Sequence, residues 1–389
     1  MRATILLAGA AGLCLALTAD GGAQSANSPK VRYYMDVSTA TGPLAGGLRA
    51  MMRGGGESRS LTLSLGSTLS PTGGAPRADH FMPAGALIGP SVPLVSPSPS
   101  QSGPTQPSTS EPGSPGQPQR PRGRLLVYWG CGAHAGPGQP AIIDFAKVAD
   151  GQFPPNLFTA SVPFDTPPNA ATSRTFGGYP VGRVKKPQAA SSIVGAHRVA
   201  GNYSPEIAFS LAQDFLPALH AQRAAQADGS SLLSWNGVAG ATGYYAWAIG
   251  AGQNGDVIWW ASATTREIGG GLWDYVAPGI VSRLVPRGTV MAPSRTSCAI
   301  PAEVGGAQTI AFLNAFGPEA DFAYPPRPAN QRTPWHPDST VKVRYKSTAM
   351  VAPSMGAMMQ GQQGQEPARQ ACRPSVGGML GGMIGRKKC

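Results

Sequence analysis

The chain is predicted to be mainly β, with short strands set between long Pro- and Gly-rich segments. Three observations carry this reading. Apolar and polar residues alternate with a period of two, most cleanly where Leu61, Leu63 and Leu65 face one way and Ser60, Thr62 and Ser64 the other. The strand-like runs are β-branched and aromatic, as in Val31-Arg32-Tyr33-Tyr34-Met35-Asp36-Val37. With 52 glycines, 39 prolines and only 13% charged residues in 389, much of the chain is expected to be loop or disorder, while 41% hydrophobic residues still supply a core.

Residues 1–23 have the layout of a secretory signal peptide. Arg2 precedes an apolar run, 5–17, that is shorter than the roughly 20 residues of a spanning helix, and Gly21-Gly22-Ala23 offers a small-residue cleavage site before Gln24. Lipidation at Cys14 is disfavoured because Leu13 stands where a small residue is expected. An exported protein of the periplasm or the exterior follows from this layout.

Residues 30–95 form a β-rich N-terminal segment. After the strand at 31–37, Ala40-Thr41-Gly42-Pro43 makes a stop, and residues 60–65 make the second strand. The apolar stretch 81–95 is broken by Pro83, Pro90 and Pro93, which allow only short edge strands. Residues 96–124 are Pro, Ser, Gly and Gln, too polar to offset their ordering entropy. This spacer either separates two domains or interrupts one sheet. A β-rich segment, 125–210, resumes with Leu125-Leu126-Val127-Tyr128-Trp129 as a strand. Residues 141–148 are expected to form a short helix, and 192–199 and 207–211 short strands.

The clearest β pattern lies between residues 231 and 263. Leu233 and Trp235 alternate, a Gly-rich turn follows, Tyr245, Trp247 and Ile249 share one face of the next strand, and Val257 and Trp259 lie on one face of a third. Aromatics at this density mark a sheet core, so Trp235, Tyr245, Trp247 and Trp259 are the candidate structural core. Residues 272–284 suggest a helical connection interrupted at Pro278, residues 309–315 a further strand, and 341–345 one strand-like stretch within a Met-, Gln- and Gly-rich tail, 327–389, that is otherwise expected to be disordered.

Leu233-Ser234-Trp235 followed by Val238-Ala239-Gly240-Ala241-Thr242-Gly243-Tyr244 resembles the second and third strands of a fibronectin type III module. Phe215 to Leu219 would match its first strand, and Asn314 to Glu319 the end of its penultimate one. No tyrosine corner is evident, and residues 272–284 are an unusual insertion. The resemblance implies an antiparallel β-sandwich of the fibronectin type III/immunoglobulin class over about residues 211–326, serving as a spacer or binding surface.

The charge balance, 31 basic against 19 acidic residues, is +12, and attracts the protein to anionic surfaces. The basic clusters (Arg120, Arg122 and Arg124; Arg183, Lys185 and Lys186; Arg386, Lys387 and Lys388) do not interleave with aromatics, so no nucleic-acid partner is expected. Four cysteines follow the signal segment. Pairing Cys131 with Cys298, and Cys372 with Cys389, is the simplest arrangement, and spacing alone does not decide it.

Several motifs have bland readings that outweigh the sharp ones. Gly250-Ala251-Gly252-Gln253-Asn254-Gly255 has dinucleotide spacing, but a strand follows rather than a helix, and Asn254-Gly255 is a hairpin turn pair. Cys131 and His134 make half a zinc site, while His80, His197, His220 and His336 stand alone and read as ordinary loop or surface histidines. No cofactor is expected. The tail methionines Met350, Met355, Met358, Met359, Met379 and Met383 are soft donors suited to Cu(I), or else plain flexible sequence. Met379, Leu380, Met383 and Ile384 with Arg386, Lys387 and Lys388 are candidates for weak peripheral contact with a membrane. Asn202-Tyr203-Ser204 is a glycosylation sequon, expected to be idle in a GC-rich bacterial source.

No nucleophile-elbow, H-E-x-x-H or Walker pattern occurs. The leading expectation is therefore a non-enzymatic envelope protein that binds an unidentified protein or an anionic envelope surface, or acts as a spacer. The alternatives are a hydrolase of envelope polymers with its site near Tyr128 to His134, and copper handling through the tail.

Overall fold

The computed structural model describes residues 28–43, 56–97, 123–152, 162–252, 255–305, 308–330 and 335–352. The signal segment, most of the spacer, and the tail from residue 353, with Met355, Met358, Met359, Met379, Met383, Cys372, Cys389 and the basic end, lie outside the described residues, whereas Met350 lies in the last strand.

The chain runs through β1 (Val31–Gly42), β2 (Gly56–Ser67), β3 (Ala78–Phe81), β4 (Ser91–Pro93), β5 (Arg124–Trp129), β6 (Ala141–Asp144), α1 (Phe145–Ala149), β7 (Thr175–Tyr179), β8 (Gly195–Gly201) and β9 (Ile207–Leu211). It continues through β10 (Ala221–Ala225), β11 (Ser231–Trp235), β12 (Gly243–Ala251), β13 (Val257–Ala261), α2 (Pro278–Leu284), β14 (Ser297–Ile300), α3 (Ala302–Gly305), β15 (Gln308–Tyr324) and β16 (Ser339–Val351). The fold is mainly β, as its alternating sequence predicts.

Among the described residues three sheets form: one of nine strands in the order β6-β5-β13-β12-β15-β16-β1-β2-β7, one of three, β10-β11-β14, and one of four, β4-β3-β8-β9. One face of the large sheet packs on both small sheets in a single core. Val31, Tyr33, Met35 and Val37 of β1, Leu61, Leu63 and Leu65 of β2, and Val341, Val343 and Tyr345 of β16 enter it from one side. Val199, Ile207, Phe209, Leu233 and Trp235 enter it from the other. Two layers sharing a core make this a β-sandwich, with every pair antiparallel except β1–β16 and β5–β13.

Those two parallel pairs have a common meaning. Strands β10, β11 and β14 in one sheet, and β13, β12, β15 and β16 in the other, pair only antiparallel among themselves. Of the strands preceding residue 221, β1, β2 and β7 extend this block from its β16 edge and β5 and β6 from its β13 edge, β1 onto β16 and β5 onto β13. The segments 30–95, 125–210 and 211–326 therefore share one sheet, and the spacer interrupts that sheet.

Local structure departs from the sequence reading at residues 141–148, at Pro278, at residues 215–219 and in the tail, among other places. Residues 141–148 split into β6 and α1: Ile142 and Ile143 pair with β5, and the Asp144 carboxylate caps the helix by accepting from the N–H groups of Ala146 and Lys147. Pro278 starts α2 instead of interrupting it, since a first-turn proline forfeits no helical hydrogen bond. Residues 215–219 are not a strand; Phe215, Leu216 and Leu219 plug the core, and β10 begins two residues later. Part of the segment read as disordered tail is β16, which lies between β15 and β1 in the interior of the large sheet.

β7 is a strand that its Gly-Gly pair conceals. A Cβ at Gly177 would sit 2.8 Å from the Leu94 carbonyl oxygen and closer still to the Tyr203 hydroxyl, so only glycine allows this approach.

Candidate functional site

Strand alternation sends Lys342, Arg344 and Lys346 of β16 to the face opposite the core. The parallel register of β1 puts Tyr34, Asp36 and Ser38 beside them, and β15 puts Asp321 beside Lys342 and Glu319 beside Arg344. The Arg344 guanidinium is 1% exposed. Its Nε and Nη2 each donate to an Asp36 carboxylate oxygen at 2.7 Å, and its Nη1 donates to the Asp165 backbone carbonyl at 2.5 Å. Lys342 reaches the Asp165 carboxylate at 3.0 Å and Lys346 that of Asp274 at 3.1 Å. The Tyr34 and Tyr275 rings lie 5.1 and 4.7 Å from the guanidinium.

Burial pushes the Asp36 carboxyl up, against the opposing pull of Arg344. Asp165 is also desolvated, yet Lys342 and Arg344 hold it below the usual carboxylate range. Burial raises Glu319, whose Oε1 has no hydrogen-bond partner among the described residues. Arg344 is always charged, and its bidentate geometry keeps Asp36 ionised at neutral pH. This network fastens Asp165 and Asp274, from two covering segments, onto the sheet. Its closed pairs are structural.

At the end of the sheet where β1 and β16 begin and β15 finishes, the network opens into a cleft of about 610 Å3. Arg32, Lys342 and Arg327 supply cations to its wall, Tyr34, Phe322, Tyr324 and Trp335 supply aromatic rings, and Asp321 is the one carboxylate in the lining. Arg32 Nη2 donates to the Tyr34 hydroxyl at 2.8 Å, and Arg327 lies 5.6 Å from the centre of the Trp335 ring. Trp335 Nε1 donates to the Pro325 carbonyl at 3.0 Å, which fixes the indole. Neither Arg32 nor Arg327 forms an ion pair among the described residues, so both charges remain available to a ligand.

Behind the cleft lies a buried polar chain. His197 Nε2 faces the Ile193 carbonyl at 2.7 Å, and a carbonyl only accepts, so Nε2 carries the proton and Nδ1 accepts. His80 Nε2 must then donate to His197 Nδ1 at 2.9 Å, which leaves His80 Nδ1 to accept from the Tyr33 hydroxyl. The direction of every bond is set, with both imidazoles neutral. Burial lowers the pKa of both histidines and raises that of Tyr33. His80 and His197 are thus core residues, against the expectation of loop or surface positions. His220 and His336 are exposed.

Other sequence-predicted residues fall as follows. Trp235 is buried, 5.5 Å from the Tyr244 ring, and Tyr245 is buried on the opposite face of the large sheet. Trp247 stacks on Trp259 at 5.0 Å and on Phe312 at 4.0 Å, with the half-exposed Trp273 closing the cluster. Cys131 and Cys298 form a disulfide. Its sulfur so bonded, Cys131 is no thiolate ligand beside His134, which instead lies 3.5 Å from Glu303 at the surface. The strands that flank the G-x-G-x-x-G segment, β12 and β13, pair antiparallel, and Gly252 N–H donates to the Asp256 carbonyl, so a strand and not a helix follows the motif. The sequon side chain is a clasp: Asn202 Nδ2 donates to the Thr72 and Ala75 carbonyls, which engages both amide hydrogens.

Sequence reasoning missed the cleft and the ionic face. The alternation Lys342, Arg344, Lys346 against Val341, Val343, Tyr345 was the available signal. No protein family, curated protein or solved structure matches this chain.

Proposed function

We propose that this is an exported, non-enzymatic binding protein of the cell envelope, and that its ligand is an anionic, ring-bearing group held in the cleft between β1, β15 and β16. The observation that carries the reading is the convergence of Arg32 and Arg327, neither ion-paired among the described residues, with the Tyr34, Tyr324 and Trp335 rings on one concave site. Aromatic faces accept the C–H face of a sugar ring, and guanidinium groups take a carboxylate or phosphate bidentately. With one lining carboxylate, the cleft lacks the carboxylate pair of a glycosidase, which favours binding over hydrolysis.

Export is supported by the N-terminal layout and by the Cys131–Cys298 disulfide, a bond that persists in oxidising compartments. A fibronectin type III-like module is supported by the strand order. Strands β10, β11 and β14 oppose β12, β15 and β16 as the A-B-E strands oppose C-F-G in sandwiches of this class. On that reading the module extends from residue 221 to 351, and the cleft lies where the N-terminal strands join its last strand.

The test is calorimetric titration of the mature protein with digalacturonate and with its neutral counterpart, digalactose. Digalacturonate is expected to bind at least tenfold more tightly. Arg32→Ala and Arg327→Ala should each lower its affinity about tenfold or more, the equivalent of a charge-assisted hydrogen bond. Equal binding of the charged and neutral sugars rejects the proposal.

A further inference from the structure

We infer that the ligand is a linear acidic polysaccharide laid through three contiguous clefts at the start of β1. The inference rests on the binding reading above and extends it from one acidic sugar to a chain. A second cleft of about 490 Å3 adjoins the first, and a third of about 450 Å3 adjoins the second. Arg32 lines both the first and the second, and Lys30 both the second and the third, so the three clefts lie in series past the start of one strand.

The lining changes along the path in a way that selects the ligand. Aromatic platforms belong mainly to the first cleft. The second is lined by Ser28, Ser67, Thr68, Thr172 and Ser173 with Lys30 and Arg32, and no carboxylate; the Ser67, Thr68 and Thr172 hydroxyls also bond backbone groups, which leaves Ser28 and Ser173 as the hydroxyls with no bond among the described residues. Single-stranded nucleic acid requires successive stacking platforms, which this second cleft lacks. A polyhydroxylated chain with periodic carboxylates finds hydroxyl partners and cations in it. In the third cleft Asp338 pairs with Lys30 at 2.8 Å, so Arg32, which has no such partner among the described residues, is the principal anion seat. Occupying a second cleft through the same chain raises affinity by effective concentration.

The experiment is titration of the mature full chain with galacturonate and its dimer, tetramer and hexamer at low salt. Affinity is expected to rise at least tenfold from dimer to hexamer. Thr68→Glu places a negative charge at an exposed position in the second cleft, and should return the hexamer to near the dimer's affinity. Equal affinity for dimer and hexamer, with dimer binding still lost in Arg327→Ala, overturns the extended path and leaves the single-cleft reading standing. Absence of binding at every length overturns both. Single-stranded DNA of equal charge that binds as tightly as the hexamer overturns the polysaccharide assignment.

Discussion

Removing the disulfide tests how the two layers are held together. Cys131 follows β5 of the nine-stranded sheet, and Cys298 lies in β14 of the three-stranded one, 167 residues further on. Two hydrogen bonds reinforce the same join: Gly132 N–H donates to the Ala299 carbonyl at 3.0 Å and Ala302 N–H to the Ala133 carbonyl at 2.8 Å. The native arrangement therefore keeps local contacts when the bond is cut, and the effect falls mainly on the unfolded chain. Closing a loop of 167 residues removes chain entropy equivalent to about 5 kcal/mol at 25 °C. At about 2 °C per kcal/mol for a protein of this size, the Cys131→Ala/Cys298→Ala variant should melt about 10 °C lower than the parent. Its far-ultraviolet circular dichroism should be unchanged, and its urea m value should rise because the unfolded chain is no longer cross-linked. Calorimetry and urea titration of both proteins measure this. A melting shift under about 2 °C would show that the join contributes little, and peptide mapping that finds Cys131 and Cys298 as free thiols would refute the bond itself.

Two further outcomes follow from buried groups. Asp36→Ala leaves the Arg344 guanidinium buried without its bidentate partner and should cost about 3–5 kcal/mol in urea unfolding; a loss below about 1 kcal/mol would mean that water reaches Arg344. His80 and His197 have folded pKa values lowered by burial, so their contribution is complete above the unfolded value of about 6.5 and is lost as pH falls below it. Stability should drop by up to about 2.7 kcal/mol per pH unit between pH 6.5 and 5.5, a window above the titration of unfolded carboxylates. The same slope in a His80→Leu/His197→Leu variant would assign it elsewhere.

Much of the strand content was legible because alternation is a local property. Val31 to Val37, Leu61 to Leu65 and Val257 to Ala261 each show which side chains share a face without reference to any partner. Strands whose reasons are nonlocal were missed. The glycines of β7 give no alternating pattern, and Gly177 permits the approach of Tyr203 and Leu94 from elsewhere in the chain. β14, with four residues, has too short a pattern to register, and β11 supplies its hydrogen bonds. β16 was read as a five-residue stretch because prolines precede it and its second face is cationic. That face is tolerated inside the sheet because Asp36, Asp165 and Asp274 neutralise it.

By itself, then, the sequence determined the β class, the face that each side chain takes along a strand, the strand that follows residues 250–255, and the expectation of export. Which strands are neighbours was decided only in three dimensions. Parallel pairing of β1 with β16 brings Asp36 beside Arg344, 308 residues apart, and the loop-closure entropy of such a contact leaves no trace in local pattern. The cleft is a product of that pairing: Arg32 and Tyr34 come from one end of the described chain, Trp335 and Lys342 from the other, and only the completed core sets their side chains around a common space.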